Sequence, residues 1–347
     1  MKIHFHVYSI RKNILNILFI GFTIFLITFS SSCLSAAKNG LLLWANNVIP
    51  ALFPFFIATE LLSYTNLCEK LSNIFYKTMK PLFNVPGSGA YAFVLGLISG
   101  YPVGAKIVND LNSNNNCSNS EASRLLAFTN NSGPLFVIGT IGIMMYKNKA
   151  IGILLFVTHI LSAIVVGIIF GKISKDHIFY NSYPKHDKHI NNNSISDLGN
   201  ILKLSIISSI KNILLIGGFI VLFAIIIEIL NVSYVLDLIV LLLSPFSNYF
   251  KINTMYIKGI LAGIVELTNG LAIISSIPSK NLSLNILISS FLLGFGGLSV
   301  LFQVLGIISK SDISIKPYVF GKLFQGIISV CFTYIFINTF SFFNFNL

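Results

Sequence analysis

Residues 96–106 read Gly96-Leu97-Ile98-Ser99-Gly100-Tyr101-Pro102-Val103-Gly104-Ala105-Lys106, inside an apolar segment that runs from Ala90 to Val108. A helix that only faces lipid needs neither three glycines nor a proline in so short a stretch. Glycine loosens the backbone and Pro102 removes a hydrogen-bond donor. The pattern predicts a broken or re-entrant helix. Irregular backbone at membrane depth survives only where protein or a water-filled cavity satisfies its polar groups, and half-helix ends made by such breaks are where transporters hold solutes and coupling ions. The competing reading is a close-packed helix crossing, in which glycines let neighbours approach. Ser99, Tyr101 and Lys106 add polar groups that packing alone does not require.

The rest of the chain fits a membrane setting. Only 10% of its 347 residues are charged, against about 25% in a soluble domain, and the mean hydropathy is +0.82. Such a chain cannot cover a water-exposed surface of ordinary size, so the fold class is an all-α, polytopic membrane bundle. At roughly 20 residues per span the apolar stretches suffice for about eight crossings, which excludes a soluble enzyme with a single anchor. The net charge of +12, from 23 Lys+Arg against 11 Asp+Glu, is no nucleic-acid footprint. Bases such as Lys70, Lys77, Lys80, Lys147 and Lys149 lie between apolar runs, where orientation signals and contacts with anionic headgroups are expected. The expected partner is the lipid bilayer, not nucleic acid. Cys33, Cys68, Cys117 and Cys331 are scattered without paired spacing, so neither a disulfide framework nor a metal site is expected, and no cofactor is implied.

Along the chain, a basic start is followed by an apolar run from Ile14 to Phe29, which reads as an uncleaved anchor helix or as a signal peptide; the run is longer than the usual signal core of ~7–15 residues. Further apolar segments cover Leu41–Leu62, Ala90–Val108, Ser123–Met145 and Ala150–Phe170. Hydropathy then collapses between Lys172 and Lys203. Four more long segments follow near Ser205–Leu230, Thr254–Ile277, Leu284–Ile308 and Pro317–Phe340, and a shorter run at Val232–Leu243 reads as interfacial. The organisation predicted is an anchor over 1–38, a first repeat over 39–171, a polar linker over 172–204 and a second repeat over 205–347. At an offset of about 168 residues Pro50 meets Gly218 and Glu60 meets Glu228, and Gly96 meets Gly263 one register earlier. That ordered succession of helix breakers and an intramembrane Glu argues for a duplication.

Three further stretches carry polar groups into spans. Thr129-Asn130-Asn131-Ser132-Gly133-Pro134 interrupts the fourth segment; either it breaks one helix or it joins two short spans. Its side chains, if buried without partners, would each cost on the order of 1–3 kcal/mol. The second half offers Gly263-Ile264-Val265-Glu266-Leu267-Thr268-Asn269-Gly270 and Gly294-Phe295-Gly296-Gly297-Leu298-Ser299-Val300-Leu301-Phe302-Gln303. Glu266 is the sharpest single residue, because a carboxylate in a span costs roughly 2.5–3.5 kcal/mol and faces a cavity or a partner; the alternative is a packed, hydrogen-bonded Glu with no solute role. Glu60 and Glu228 invite the same argument with less force, and Lys106 is a candidate counter-ion for any of the three. The candidate solute or ion path therefore comprises Ser99, Gly100, Tyr101, Pro102, Lys106, Asn130, Asn131, Ser132, Glu266, Thr268, Asn269, Ser299 and Gln303, with Glu60 and Glu228 secondary. His159 stands alone in a span and His177, His186 and His189 lie in the linker, with no acidic or Cys partner at ligand spacing. No phosphate loop, nucleophile elbow or His-Glu-x-x-His motif is present, so no enzymatic activity is expected.

Four blocks also carry a resemblance. Val48-Ile49-Pro50-Ala51-Leu52-Phe53-Pro54-Phe55-Phe56 within Trp44 to Leu62, Ser99 to Lys106, Phe128 to Phe136 and Gly297 to Val304 resemble the YlbJ family of sporulation integral membrane proteins, over about Leu41 to Phe340. The chain departs from that family's pattern at Gly133, where another polar residue is common, and in its long first helix. The family is similar to a wider nucleoside-recognition or gate group that includes spore maturation proteins, part of the ferrous-iron transporter and the concentrative nucleoside transporters. The resemblance implies an all-helical protein with duplicated gate regions, needed for building the spore cortex and sited in the mother-cell-derived membrane around the forespore. The expected function is a transporter-like gate for a small polar solute. A non-transporting scaffold that recruits other sporulation membrane proteins and a nucleoside-type permease are the alternatives. Orientation turns on whether 90–108 or 129–134 is re-entrant, since either changes the parity of the crossings.

Overall fold

The computed structural model describes residues 2–173, 195–249, 253–278 and 282–339, and every element among them is helical. Helix α1 (Lys2–Thr28) leads into α2 (Ser30–Leu62), which carries a π-helical turn at Trp44–Val48. Then come α3 (Leu67–Thr78), α4 (Gly89–Ser99), α5 (Val103–Ser113), α6 (Asn119–Thr129), the π-helical α7 (Leu135–Met145) and α8 (Lys149–Ile173). The second half holds α9 (Ile195–Val232), α10 (Val235–Tyr249), α11 (Thr254–Val265), α12 (Leu267–Ser276), α13 (Leu282–Phe295), α14 (Gly297–Ile308) and α15 (Lys316–Thr339). Residues 174–194 of the expected linker, His177, His186 and His189 among them, lie outside the described residues, whereas its last part is already the start of α9.

The helices are patterned inside out relative to a soluble protein. On α15 the buried stripe is Tyr318, Gly321, Lys322, Gln325, Ser329 and Thr333, while Phe320, Phe324, Ile327 and Tyr334 are exposed. That is a polar and small-residue face turned to its neighbours with an apolar face left for lipid. Five helical stretches, Ser30–Leu62, Lys149–Ile173, Asp197–Val232, Leu282–Ile308 and Lys316–Thr339, are long and apolar enough to cross a membrane. Helix α10, with 15 residues, is about 22 Å long, too short to cross, and exposes Leu238, Leu241 and Leu242.

Two stretches that read as spans fold back instead. Helices α4 and α5 pack on each other around the break at Gly100–Pro102, and α11 packs on α12 around Glu266. The second hairpin is tight: a Cβ on Gly270 of α12 would lie 2.2 Å from the Cα of Gly263 on α11. Each hairpin is followed by an interrupted helix, α6 and α7 across Asn130–Pro134 and α13 and α14 across Gly296. The re-entrant element of the first half is therefore the 90–108 stretch, and 129–134 is the break in a helix that continues. Hairpin and break then meet. A Cβ on Gly104 would lie 2.3 Å from the carbonyl oxygen of Thr129, the last residue of α6, and one on Gly297 would lie 2.9 Å from that of Gly263. Across the halves, α2 lies along α9 and α8 along α15, so each half lays its long helices on those of the other.

Candidate functional site

The two hairpin tips and the second break converge on one small cavity. Gly100 takes φ +82°, a conformation open to glycine at no steric cost, and the chain turns there so that Tyr101 follows directly, across a cis Tyr101–Pro102 peptide bond. The Tyr101 ring stands edge-on to Phe136 of α7, with centroids 6.3 Å apart. At the other tip Glu266 is 3% exposed. Its Oε2 accepts from the Asn269 amide at 2.7 Å and its Oε1 accepts from the Thr268 hydroxyl at 3.1 Å. The carboxylate therefore caps α12, where the helix N-terminus favours negative charge. From α14, which starts at Gly297, Ser299 and Gln303 complete the polar wall. The cavity is about 10 Å³ and is closed on its other sides by Val48, Leu52, Ile216 and Ile220. That is room for about one water. Gln303, in the wall of this cavity, keeps a buried side-chain oxygen with no hydrogen-bond partner.

A larger space lies on the other side of the first hairpin. A cavity of about 470 Å³ is lined by Thr59, Glu60, Tyr91, Lys106, Asn116 and Asn212, among others. Within it Lys106 Nζ donates to Glu60 Oε2 at 2.9 Å and to Ser208 Oγ at 3.0 Å. Lys106 is thus the counter-ion of Glu60, not of Glu266 or Glu228. Thr59, one residue before Glu60, bonds Ser99 at the hairpin tip with 2.8 Å between hydroxyl oxygens. Because Thr59 also donates to the Phe55 carbonyl, Ser99 is the donor. This hydroxyl pair fastens the tip to α2 between the large cavity and the small one.

The sequence-predicted residues are therefore not gathered at one place. Tyr101, Glu266, Thr268, Ser299 and Gln303 line the small cavity; Lys106 and Glu60 line the large one, with Ser99 beside them. Gly100 and Pro102 shape the tip, and Asn269 contributes its backbone amide to Glu266. Asn130, Asn131 and Ser132 face away, toward α8 and α15. There Asn131 Oδ1 accepts from Gln325 at 2.9 Å and Lys322 at 3.3 Å, Asn130 Nδ2 lies 3.4 Å from the Tyr318 hydroxyl, and the Ser132 amide donates to His159 Nε2 at 3.2 Å. Glu228 stands apart, on α9 beside Cys33. Lys322, Gln325, Tyr318 and the role of His159 escaped the sequence reading. The rule that singled out Glu266, an ionisable residue inside an apolar span, applies equally to Lys322. Among the described residues no three His, Cys, Asp or Glu side chains are grouped to hold a metal ion.

Known proteins bear on this arrangement. Residues 45–175 match the family model described as Gate, nucleoside recognition. The sporulation integral membrane protein YlbJ of Bacillus subtilis (strain 168) is 33% identical over 332 residues, which covers 90% of this chain and 80% of that one. Two solved structures of variants of the concentrative nucleoside transporter CNTnw share the fold. One, in an intermediate state, aligns with a TM-score of 0.58 at 13% identity, covering 97% of this chain and 87% of the other. The second, in an outward-facing state, gives 0.55 at 11% identity, covering 95% and 86%.

Proposed function

The chain belongs to the family of the sporulation integral membrane protein YlbJ, and from that membership and its transporter-like fold we propose that it gates the passage of a small polar solute needed for spore cortex formation. Its place of action in this reading is the mother-cell-derived membrane around the forespore. The observation that carries the reading is the meeting of both hairpin tips and the α13–α14 break at one cavity, where Tyr101, Glu266, Thr268, Ser299 and Gln303 offer hydrogen-bonding groups inside an otherwise apolar wall. Half-helix ends that meet at a polar cavity are where transporters hold solutes and coupling ions. The cavity holds about one water in this conformation, so passage requires a hairpin to move. The tip fastened by Ser99 and Thr59 separates the large cavity from the small one and is the element to move.

The test is a comparison of metabolite distribution between mother cell and forespore in sporulating cells that have or lack the protein. A solute that fails to cross without the protein, together with loss of cortex, supports the gate. Equal distribution in both strains rejects it and leaves the scaffold reading. Glu266→Gln separates the two further: a scaffold keeps cortex formation with this change, and a gate loses it while the protein still inserts.

A further inference from the structure

Lys322, in the second turn of α15, is packed among the helices with 4% of its surface exposed. Its ammonium donates to Gln325 Oε1 at 2.8 Å and to Asn131 Oδ1 at 3.3 Å, and lies 5.9 Å from the centre of the Tyr318 ring. None of these partners is a carboxylate. A lysine buried among membrane helices is normally paired with an acid or placed on a path.

What stands where an acid would be expected is the end of a helix. Asn131 lies just past Thr129, the last residue of the 11-residue α6, and a helix C-terminus carries the equivalent of about half a negative charge. The chain leaves the helix there: Asn130 takes φ −89° and ψ 90°, so the last carbonyls of α6 lose their intrahelical donors. One of them is met from within, since Asn131 Nδ2 donates to the Phe128 carbonyl at 2.6 Å. The Asn130 side-chain oxygen is buried with no donor at all. Gln325 Nε2 also reaches Asn131 Oδ1, at 2.9 Å, so Lys322, Gln325 and Asn131 close a triangle that fixes the ammonium against the break.

Breaks of this kind in transporters present carbonyl oxygens and a negative helix end to a cation taken from solution. We infer that in this chain the cation is Lys322 itself: its ammonium is a resident counter-charge for the α6–α7 break, which therefore takes up no sodium or other metal cation. The cation–π contact with Tyr318 and the amide oxygens of Asn131 and Gln325 are the coordination shell that such a tethered cation requires. The inference concerns how the break is stabilised and stands whether or not a solute crosses the membrane.

The experiment uses the purified full-length protein in detergent and follows its thermal unfolding in sodium chloride and in choline chloride of equal ionic strength. The wild-type midpoint is expected to be the same in both salts. Lys322→Ala in choline should unfold several degrees lower and regain part of that loss, with saturation, on addition of methylammonium chloride. Adding Asn131→Ala to the same chain should abolish the recovery. Lys322→Met, which keeps the bulk without the charge, should also unfold below wild type, and it decides the matter if Lys322→Ala does not accumulate. A wild-type midpoint raised saturably by sodium, with the rise lost in Asn131→Ala, would overturn the inference, because the break then takes its cation from solution. So would a Lys322→Met protein as stable as wild type, because the ammonium is then merely tolerated.

Discussion

Glu60 and Lys106, on α2 and α5, form an ion pair of 2.9 Å in the wall of the cavity of about 470 Å³, with side chains 15% and 31% exposed. The pair ties the first hairpin to α2 beside the Ser99–Thr59 bond, which makes it a latch on the element that must move if the small cavity is to open. Because it faces an open cavity, screening keeps its worth at roughly 1 kcal/mol, a latch that thermal motion can release.

That magnitude gives a first prediction. Glu60→Gln and Lys106→Met should each lower the unfolding midpoint of the purified protein only slightly, by about 1 kcal/mol, yet each should free the hairpin. The double replacement Glu60→Lys with Lys106→Glu should restore the pair. Differential scanning fluorimetry and limited proteolysis of the 114–118 turn would show it: faster cleavage in the singles and recovery in the swap. Equal cleavage in all four proteins would remove the latch.

Glu266 allows charge and capping to be separated. Glutamine keeps one oxygen that can accept from the Asn269 amide, whereas alanine leaves the start of α12 uncapped at a cost of about 0.5–2 kcal/mol. Glu266→Gln should therefore unfold close to wild type and Glu266→Ala clearly below it, while both abolish cortex formation in sporulating cells. If Glu266→Gln supports normal cortex at wild-type protein levels, the carboxylate serves only the cap.

How much of this was legible beforehand depends on what each residue type signals alone. The break at Gly100–Pro102 announces itself because glycine and proline disturb a helix by local physics, and Glu266 because a lone carboxylate in lipid demands a reason. The second hairpin is harder. Its two helices have 12 and 10 residues, each about 15–18 Å long, but run together they make a mostly apolar stretch of spanning length in which Glu266, Thr268 and Asn269 read as polar groups inside one span, and no proline marks the turn. Lys322 passes unnoticed for another reason. It lies only a few residues inside its span, where a lysine can snorkel to the headgroups, and only the packing of α15 against α6 shows that it points inward. Likewise the choice of Glu60 over Glu266 as partner of Lys106 is set by the folding back of the first hairpin, which spacing along the chain does not encode.

Cys117, in the turn between α5 and α6, is a reporter outside the spans. Burial, with a smaller contribution from the nearby Glu121 carboxylate, pushes its thiol up to about 12, whereas an ordinary thiol titrates near 8.5. The thiolate is the reactive form, so maleimide labelling of Cys117 in the folded protein should stay near zero from pH 7 to pH 9 and rise on unfolding. The sign for stability follows: above pH 8.5 the unfolded thiol ionises and the folded one does not, so this residue favours unfolding progressively as pH rises toward 12. Mass spectrometry of the labelled peptide, with and without denaturant, checks it. Brisk labelling of the native protein at pH 7 would show the turn to be open.

The glycines give the most direct test of the meeting between hairpin and break. At Gly104 a Cβ would stand 2.3 Å from the Thr129 carbonyl oxygen and 2.9 Å from the Asn130 Cα, both backbone atoms that cannot swing aside. At Gly306, inside α14, nothing lies within 4 Å, and alanine is favoured over glycine in a helix by roughly 0.5–1 kcal/mol. Gly306→Ala should therefore unfold at or slightly above the wild-type midpoint. Gly104→Ala must push the hairpin off the α6 end, at the cost of roughly 1–3 kcal/mol typical of overpacking, and should lose cortex formation as well. Gly100→Ala should do the same by a separate route, because its φ of +82° strains any residue with a side chain and its Cβ would stand 2.9 Å from the Gly133 amide nitrogen. Thermal midpoints of the three variants, measured side by side, decide the matter. Gly104→Ala as stable as Gly306→Ala would mean that hairpin tip and helix break do not touch.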